Sequence, residues 1–306
     1  MRTGTCRRLM VLVSFLAAVA AWISWSGGGT AEEPAKSIVI LAGPSQHPPG
    51  THEAAATARL LEYCVEHAEN VPAARAEVLE AWPSDDRRLA EAAVIVFTGD
   101  IFPLQRLPDP AKTQAALARH MDRGCGIVCV HYATGLRGTD VAPDGDHPLL
   151  RWLGGYFATG GCKHHSSVAR VCTATIVPEA NGHPVLRGWR EFTFDDEPYW
   201  NNYFGKGGMA REVVPLAYAM LPADQPKKEV VAWAIERKDG GRGVGVVFPH
   251  FFRNWRLDGV RTLVLNSIFW AARCEIPAAG VRCSLADLTV FRPASVDPQP
   301  PGKAKR

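Results

Sequence analysis

The sequence predicts an α/β fold: a mostly parallel sheet with helices on both faces and extra strands at one edge. Three observations predict it. The runs Ile38-Val39-Ile40-Leu41, Val94-Ile95-Val96-Phe97 and Gly126 to Val130 are apolar without alternation, as in strands buried on both faces. Helix-length segments separate these runs, and strand–helix alternation implies parallel crossovers. The second half of the chain instead carries strand-like runs in succession, which adds strands to an edge of the same sheet.

In chain order, Ile38–Leu41 enters a loop rich in Gly and Pro, and Ala58, Leu60, Leu61 and Val65 at helical spacing set a helix from about His52 to Ala68. Val78–Trp82 fits a strand and Asp85–Ala92 a short helix. After the strand Val94–Phe97, a helix from Pro110 to Arg123 starts on a proline and stops before Gly124. The third buried strand, Gly126–Val130, follows. Further strands are expected over Ser167–Val177, Glu191–Phe194, Val213–Met220, Val230–Glu236 and Gly245–Phe248. A helix from Val260 to Arg273 closes the domain with Leu263, Val264, Ser267, Ile268 and Ala271 on one side.

The ends read differently. Arg7-Arg8, an apolar run from Leu9 to Ile23 and the small residues Gly27 to Ala31 follow the order of a secretion signal, with cleavage expected after Ala31. The run is shorter than the roughly 20 residues a spanning helix needs. The arginine pair also permits a twin-arginine route. The expected organisation is a signal at 1–31, one α/β domain at 32–278, and a tail at 279–306 whose end, rich in Pro, Lys and Arg, is loose. The mature chain is therefore expected outside the cytoplasm, periplasmic or secreted, with no membrane association once the signal is removed.

Composition narrows the function classes. With 47% apolar and 21% charged residues the chain is neither a disordered tail, a collagen-like repeat nor a polytopic membrane protein. Its 34 basic residues against 31 acidic become 31 of each once Arg2, Arg7 and Arg8 leave with the signal. A neutral chain offers no electrostatic reason to bind nucleic acid or an anionic membrane. Cys64, Cys125, Cys129, Cys162, Cys172, Cys274 and Cys283 remain after the signal, too few for a disulfide scaffold and without paired C-x-x-C knuckles for structural zinc. Most read as small buried residues, with Cys274 and Cys283 placed to pair across a short loop. Gly240-Gly241-Arg242-Gly243 lacks phosphate-loop spacing and precedes a strand, so no nucleotide cofactor is expected.

Open parallel sheets bind ligands at the carboxyl ends of their strands. Three such loops carry reactive side chains: His47, His52 and Glu53 after the first strand, His131 and Tyr132 after the third buried strand, and His250 and Trp255 after the last. A fourth segment, Phe194 to Trp200, holds Asp195, Asp196 and Glu197 beside Tyr199 and Trp200. These groups are expected to converge at one sheet edge. An imidazole with an ordinary pKa near 6.5 serves as acid or base at neutral pH. Each residue also has a plainer reading: Glu53 suits a helix N-terminus, His47 a turn before two prolines, and the carboxylates a solvated run.

Several segments together resemble the trehalose-utilisation (ThuA-like) family. They are Gly126-Ile127-Val128-Cys129-Val130-His131-Tyr132-Ala133, His183-Pro184-Val185-Leu186-Arg187-Gly188, Phe194 to Tyr199, Val231-Ala232-Trp233, His47 to Glu53, and Gly245 to Trp255. The resemblance spans about residues 37–278. It implies a flavodoxin-like doubly wound sheet related to class I glutamine amidotransferases, and a link to carbohydrate use through oxidised sugars such as 3-ketoglycosides. The chain departs from the amidotransferases where their nucleophilic cysteine sits in a G-x-C-x-G elbow. His131 occupies that turn, and Cys129 lies two residues earlier, deeper in the strand. Glutamine hydrolysis is therefore not expected.

The resemblance and the residue types together imply enolisation of a keto-sugar by an isomerase, lyase or hydratase. His131 is the expected acid/base, with Glu53 or Asp196 as its partner or a second base. Tyr132, Glu197, Tyr199, Trp200 and Trp255 are the expected sugar contacts. His47, His52 and His250 either hold one divalent metal, zinc or similar, or bind sugar hydroxyls. The competing class is a non-catalytic carbohydrate-binding protein with the same cleft.

Overall fold

The computed structural model describes residues 35–291 and Met1, except Asp86, Ala180, Asn181 and Ala286. The rest of the expected signal and the tail beyond Phe291 lie outside the described residues. Four strands, β1 (Lys36–Ala42), β2 (Ala74–Leu79), β3 (Val94–Thr98) and β4 (Gly126–Val130), alternate with α1 (Ala54–Glu66), α2 (Arg87–Ala90) and α3 (Pro110–Asp122). Then come α4 (Pro148–Leu153), β5 (Cys172–Pro178), β6 (Phe192–Asp196), β7 (Val213–Leu221), β8 (Lys227–Glu236), β9 (Arg242–Val246) and α5 (Asp258–Ala271).

These nine strands form one sheet in the order β2-β1-β3-β4-β9-β8-β7-β5-β6. The first five are mutually parallel, and with β9 as fifth strand they reproduce the flavodoxin-like order 2-1-3-4-5. The last four continue antiparallel as the extra edge strands. Strand order reverses at β1, so right-handed crossovers send α1 to one face and α3 to the other. Two glycines allow close packing on the central strands. A Cβ on Gly126 would strike the Ala271 carbonyl of α5, and one on Gly243 the Trp152 carbonyl of α4. Gly243 is in register with Ile127, one residue on from Gly126, so α4 and α5 cover opposite faces.

The apolar runs behave as expected. Ile38, Ile40, Val94, Ile95, Val96, Phe97, Ile127 and Val128 are all fully buried. Three expectations need correction. β2 begins at Ala74, not Val78, because it is an edge strand that alternates Ala74, Ala76, Val78 with Arg75 and Glu77, and the residues after Leu79 turn away. The strand expected over Ser167–Val177 is broken at the exposed Arg170 and Val171. Val168–Ala169 pairs with Tyr199–Trp200, and only β5 joins the sheet. α4 was not expected, although its signals are local: His147 Nδ1 accepts the Leu149 amide hydrogen, Pro148 starts the helix, and Gly154 ends it with positive φ.

Past α5 the chain runs back along α1. The Glu69 amide donates to the Arg282 carbonyl, Ser284 donates to Glu69 Oε1, and Asn70 bonds Gly280 and Arg282. Cys283, expected opposite Cys274, lies instead against Cys64 of α1, both as thiols. Among the described residues no helix is long and apolar enough to cross a membrane.

Candidate functional site

Loops after β1, β3, β4 and β9 meet at the carboxyl edge of the parallel strands, beside the reversal point between β1 and β3. The β1 and β9 loops are joined directly. His52 N donates to His250 O at 3.0 Å, and Phe252 N to Gly50 O at 2.9 Å. His52 and His131 both have positive φ, 41° and 51°. Non-glycine residues tolerate this conformation where surrounding structure imposes it, commonly at functional sites. For His131 the turn follows β4 immediately, so the imidazole stands at the strand's tip.

Three imidazoles converge there. His52 Nε2 lies 2.8 Å from His250 Nδ1 and 3.1 Å from His131 Nε2, and the last two atoms are 3.2 Å apart. Glu197 Oε2 is 3.2 Å from His250 Nδ1. The Tyr199 hydroxyl lies 2.9 Å from His131 Nε2, and the two rings stack with centroids 4.3 Å apart. His52, His131, Glu197 and His250 each offer one ligand atom within 4.8 Å of the others.

The outward nitrogens fix which atoms face the centre. His52 Nδ1 donates to Asp100 Oδ1 at 2.7 Å, and His131 Nδ1 to the Val247 carbonyl at 3.1 Å. A carboxylate and a carbonyl only accept, so each Nδ1 carries the hydrogen and each Nε2 presents a lone pair inward. Burial pushes the Asp100 carboxyl up, but hydrogen bonds from His47, His52 and the Gln46 amide outweigh it and hold it below the usual carboxylate range. His52 is lowered to about 4 by burial, opposed by its Asp100 hydrogen bond and reinforced by His250 and His47. Burial, then the neighbouring His52 and His250, also lowers His131 well below the ordinary value. Both rings are therefore neutral at neutral pH, the form that ligates metals.

His47 does not enter this cluster. It stacks on His52 with centroids 3.7 Å apart, and its Nδ1 donates to Asp100 Oδ2 at 2.9 Å. Its side chain is 36% exposed, and its Nε2 has no partner among the described residues. Asp100 thus holds a buried and an exposed histidine at once, and His47, His52 and Asp100 form a second group of donor atoms.

The carboxylates separate by role. Asp196 is fully buried and accepts the His250 and Glu197 amide hydrogens at Oδ1 and the Asn254 amide at Oδ2. Burial raises its pKa against those hydrogen bonds. It supports the backbone of two cluster residues and does not reach the imidazoles. Glu53 accepts the Gly50 amide hydrogen at Oε1 and lines the open cleft at the head of α1.

Of the aromatics, Tyr132 and Tyr199 border the cluster, the latter stacked between His131 and Phe157. Burial, and after it Glu197, raises the Tyr199 hydroxyl well above its ordinary pKa, so it stays protonated. Trp255 lines a small pocket of about 20 Å³ together with His52, His131 and His250, room for one water and not for a sugar. Trp200 is buried beside Val168 in its short strand pair. Neither tryptophan lines the open cleft of about 500 Å³, whose walls include His47, His52, Glu53, Glu80 and Arg106.

Asp100 and Arg106 were not among the expected site residues. The signal for Asp100 was present, since Gly99-Asp100 directly follows β3 and meets the same positional rule as His131.

The ThuA family model, described as trehalose utilisation, matches residues 40–271. Among solved structures, a ThuA-like protein from Parabacteroides merdae superposes with a TM-score of 0.55 at 15% identity, covering 83% of this chain and 94% of that one. A ThuA-like protein from Bacteroides uniformis gives 0.54 at 16% identity, covering 78% and 91%. Such identities carry the fold and not residue roles. No curated protein sequence matches the chain.

Proposed function

The chain belongs to the ThuA family of trehalose-utilisation proteins, and on that premise we propose that it is an exported enzyme acting on an oxidised sugar at a divalent cation held by His52, His131, His250 and Glu197. One observation carries the reading: two nitrogens that can only present lone pairs, His52 Nε2 and His131 Nε2, face each other at 3.1 Å. Lone pair against lone pair is repulsive, and hydrogens on Tyr199 or His250 satisfy each nitrogen without making that contact attractive. A cation does. With metal–nitrogen bonds of about 2.0–2.1 Å, ligands at right angles stand about 2.9 Å apart and tetrahedral ones about 3.4 Å apart. The separations of 2.8, 3.1 and 3.2 Å fit three nitrogens on one face of such an ion, with Glu197 beside them.

A cation there supplies Lewis-acid polarisation of a substrate ketone. With His131 engaged as a ligand, the acid/base role expected for it passes to His47. Asp100 fixes His47 Nδ1–H and leaves Nε2 to take the proton beside the ketone and return it to the neighbouring carbon. With the His131 Nε2 lone pair on a cation, the Tyr199 hydroxyl 2.9 Å away, kept protonated by burial, would be left to donate to a substrate oxygen. Tyr132 packs edge-on against His52, with ring centroids 5.1 Å apart. The reaction class is enolisation, leading to isomerisation or elimination.

The test is elemental analysis of the mature protein prepared without chelator, alongside His52→Ala, His131→Ala and His250→Ala. The expected result is one metal per chain, lost in each variant. Deuterium exchange beside the ketone of a 3-keto-sugar should then be lost in His47→Ala with the metal retained. Protein that binds no added divalent metal overturns the centre. Sugar binding without exchange or turnover makes the chain a binding protein instead.

A further inference from the structure

We infer that the substrate carries a carboxylate and that Arg106 binds it. The inference rests on the reading of the histidine centre above and adds the charge of the molecule processed there.

Arg106 ends the short helical turn Pro103–Arg106 after β3 and lines the same 500 Å³ cleft as His47 and His52. Among the described residues its guanidinium has no ion pair and no hydrogen bond, and its Nε is buried without a partner. Other buried or half-buried arginines are engaged: Arg137 donates to Asp140, Arg237 to Asp239 and the Met121 and Cys125 carbonyls, and Arg261 to Asp258 and the Trp255 carbonyl, while the half-buried Arg253 lies over the Phe251 ring. Arginine does not escape burial by losing its proton, so an unmatched guanidinium beside a reactive centre is a site waiting for an acceptor.

The chemistry of the cleft selects the acceptor. A guanidinium offers a planar fork that suits a carboxylate or a phosphate. Glu53 and Glu80 also line the cleft, and a dianionic phosphate would face both, whereas a monoanionic carboxylate is matched by the one arginine. The shared cleft places this anchor relative to the centre: Arg106, His47 and His52 line it together, and His47 stacks on His52 with ring centroids 3.7 Å apart. A sugar acid whose carboxylate sits on Arg106 would extend past His47 to bring its ketone to the imidazoles. The substrate class is an oxidised aldonic or uronic acid, free or as a glycoside.

Calorimetric titration of the metal-loaded mature protein with gluconate, galacturonate, glucose and glucose 6-phosphate tests this, with Arg106→Gln and Arg106→Lys beside the parent. Gluconate or galacturonate is expected to bind about 10- to 100-fold more tightly than glucose, and Arg106→Gln to remove that margin while metal content and glucose affinity stay unchanged. Arg106→Lys, which keeps the charge and the fold but loses the fork, should retain part of it. Equal affinity for gluconate and glucose, or an unchanged margin in Arg106→Gln, overturns the inference and leaves the metal centre standing. Preference for glucose 6-phosphate that depends on Arg106 overturns the carboxylate assignment. Protein that takes up no metal overturns the underlying reading of the site, a failure seen before any sugar is added.

Discussion

Asp100 Oδ1 stands 2.7 Å from His52 Nδ1 and thereby aims the opposite nitrogen of that ring at His131 and His250. Carboxylates placed this way fix the tautomer of a ligating histidine, and their loss typically lowers metal affinity about 10- to 100-fold. Asp100→Asn is expected to do so here, measured by competition with a chromophoric chelator. Affinity equal to the parent's would deny Asp100 the orienting role.

Tyr199→Phe removes one oxygen and keeps the stack between His131 and Phe157. Metal content is expected to hold while turnover of a keto-sugar falls about 100-fold, the size of a lost proton donor. Loss of metal in this variant would make the hydroxyl a ligand instead.

Asp196→Asn tests the scaffold. The new amide can accept from His250 and Glu197 through its oxygen, but its nitrogen then meets Asn254 Nδ2, which already donates to the Asp195 carbonyl. Two donors in contact in a buried site cost about 1–3 kcal/mol. Urea denaturation should show that loss, and full stability would mean that Asn254 turns over without penalty.

Acid should destabilise the fold through two buried histidines and one half-buried one. His52, His147 and His183 are each lowered to about 4, by burial first in every case. Their unfolded counterparts titrate near 6.5. Between these values the unfolded chain binds protons that the folded chain refuses, so stability is full above about pH 6.5 and falls as pH drops toward 4. The slope corresponds to about 2 kcal/mol per histidine from pH 7 to 5. Metal-free protein unfolded in urea at both pH values measures it, and equal midpoints would contradict the burial of these rings.

The proposed export predicts a processed chain. Mass spectrometry of protein recovered from the periplasm or medium should find Glu32 as the first residue. An intact Met1 in a soluble cytoplasmic fraction would reject the signal.

Much of the fold could be read from sequence because its central strands are apolar on both faces, a pattern local enough to see in Val94–Phe97 or Gly126–Val130. β2 was displaced because an edge strand hides half its residues among polar ones. The histidines were found by their position after buried strands, yet their division of labour was not. His47 and His131 differ in which hydrogen-bond acceptor meets Nδ1, and that depends on Asp100 and Val247, 53 and 116 residues away. Trp200 and Trp255 were expected in the cleft because aromatics suit sugars. Their burial depends on pairing with Val168 and on the small pocket shared with the imidazoles, which local pattern does not reveal.

His52 and His250, in contact through 2.8 Å, are 198 residues apart along the chain. The proposed centre, built across such a separation, cannot form in a fragment, because its first histidine precedes α1 and its last follows β9. During synthesis the ligand set stays incomplete until nearly the whole domain has emerged, and contacts this remote are among the slower ones to form. An ion bound there favours only the fully assembled chain and shifts the folding equilibrium by its own affinity. The proposed centre would then also act as the last fastener of the fold, and starving the protein of metal would show first as faster unfolding.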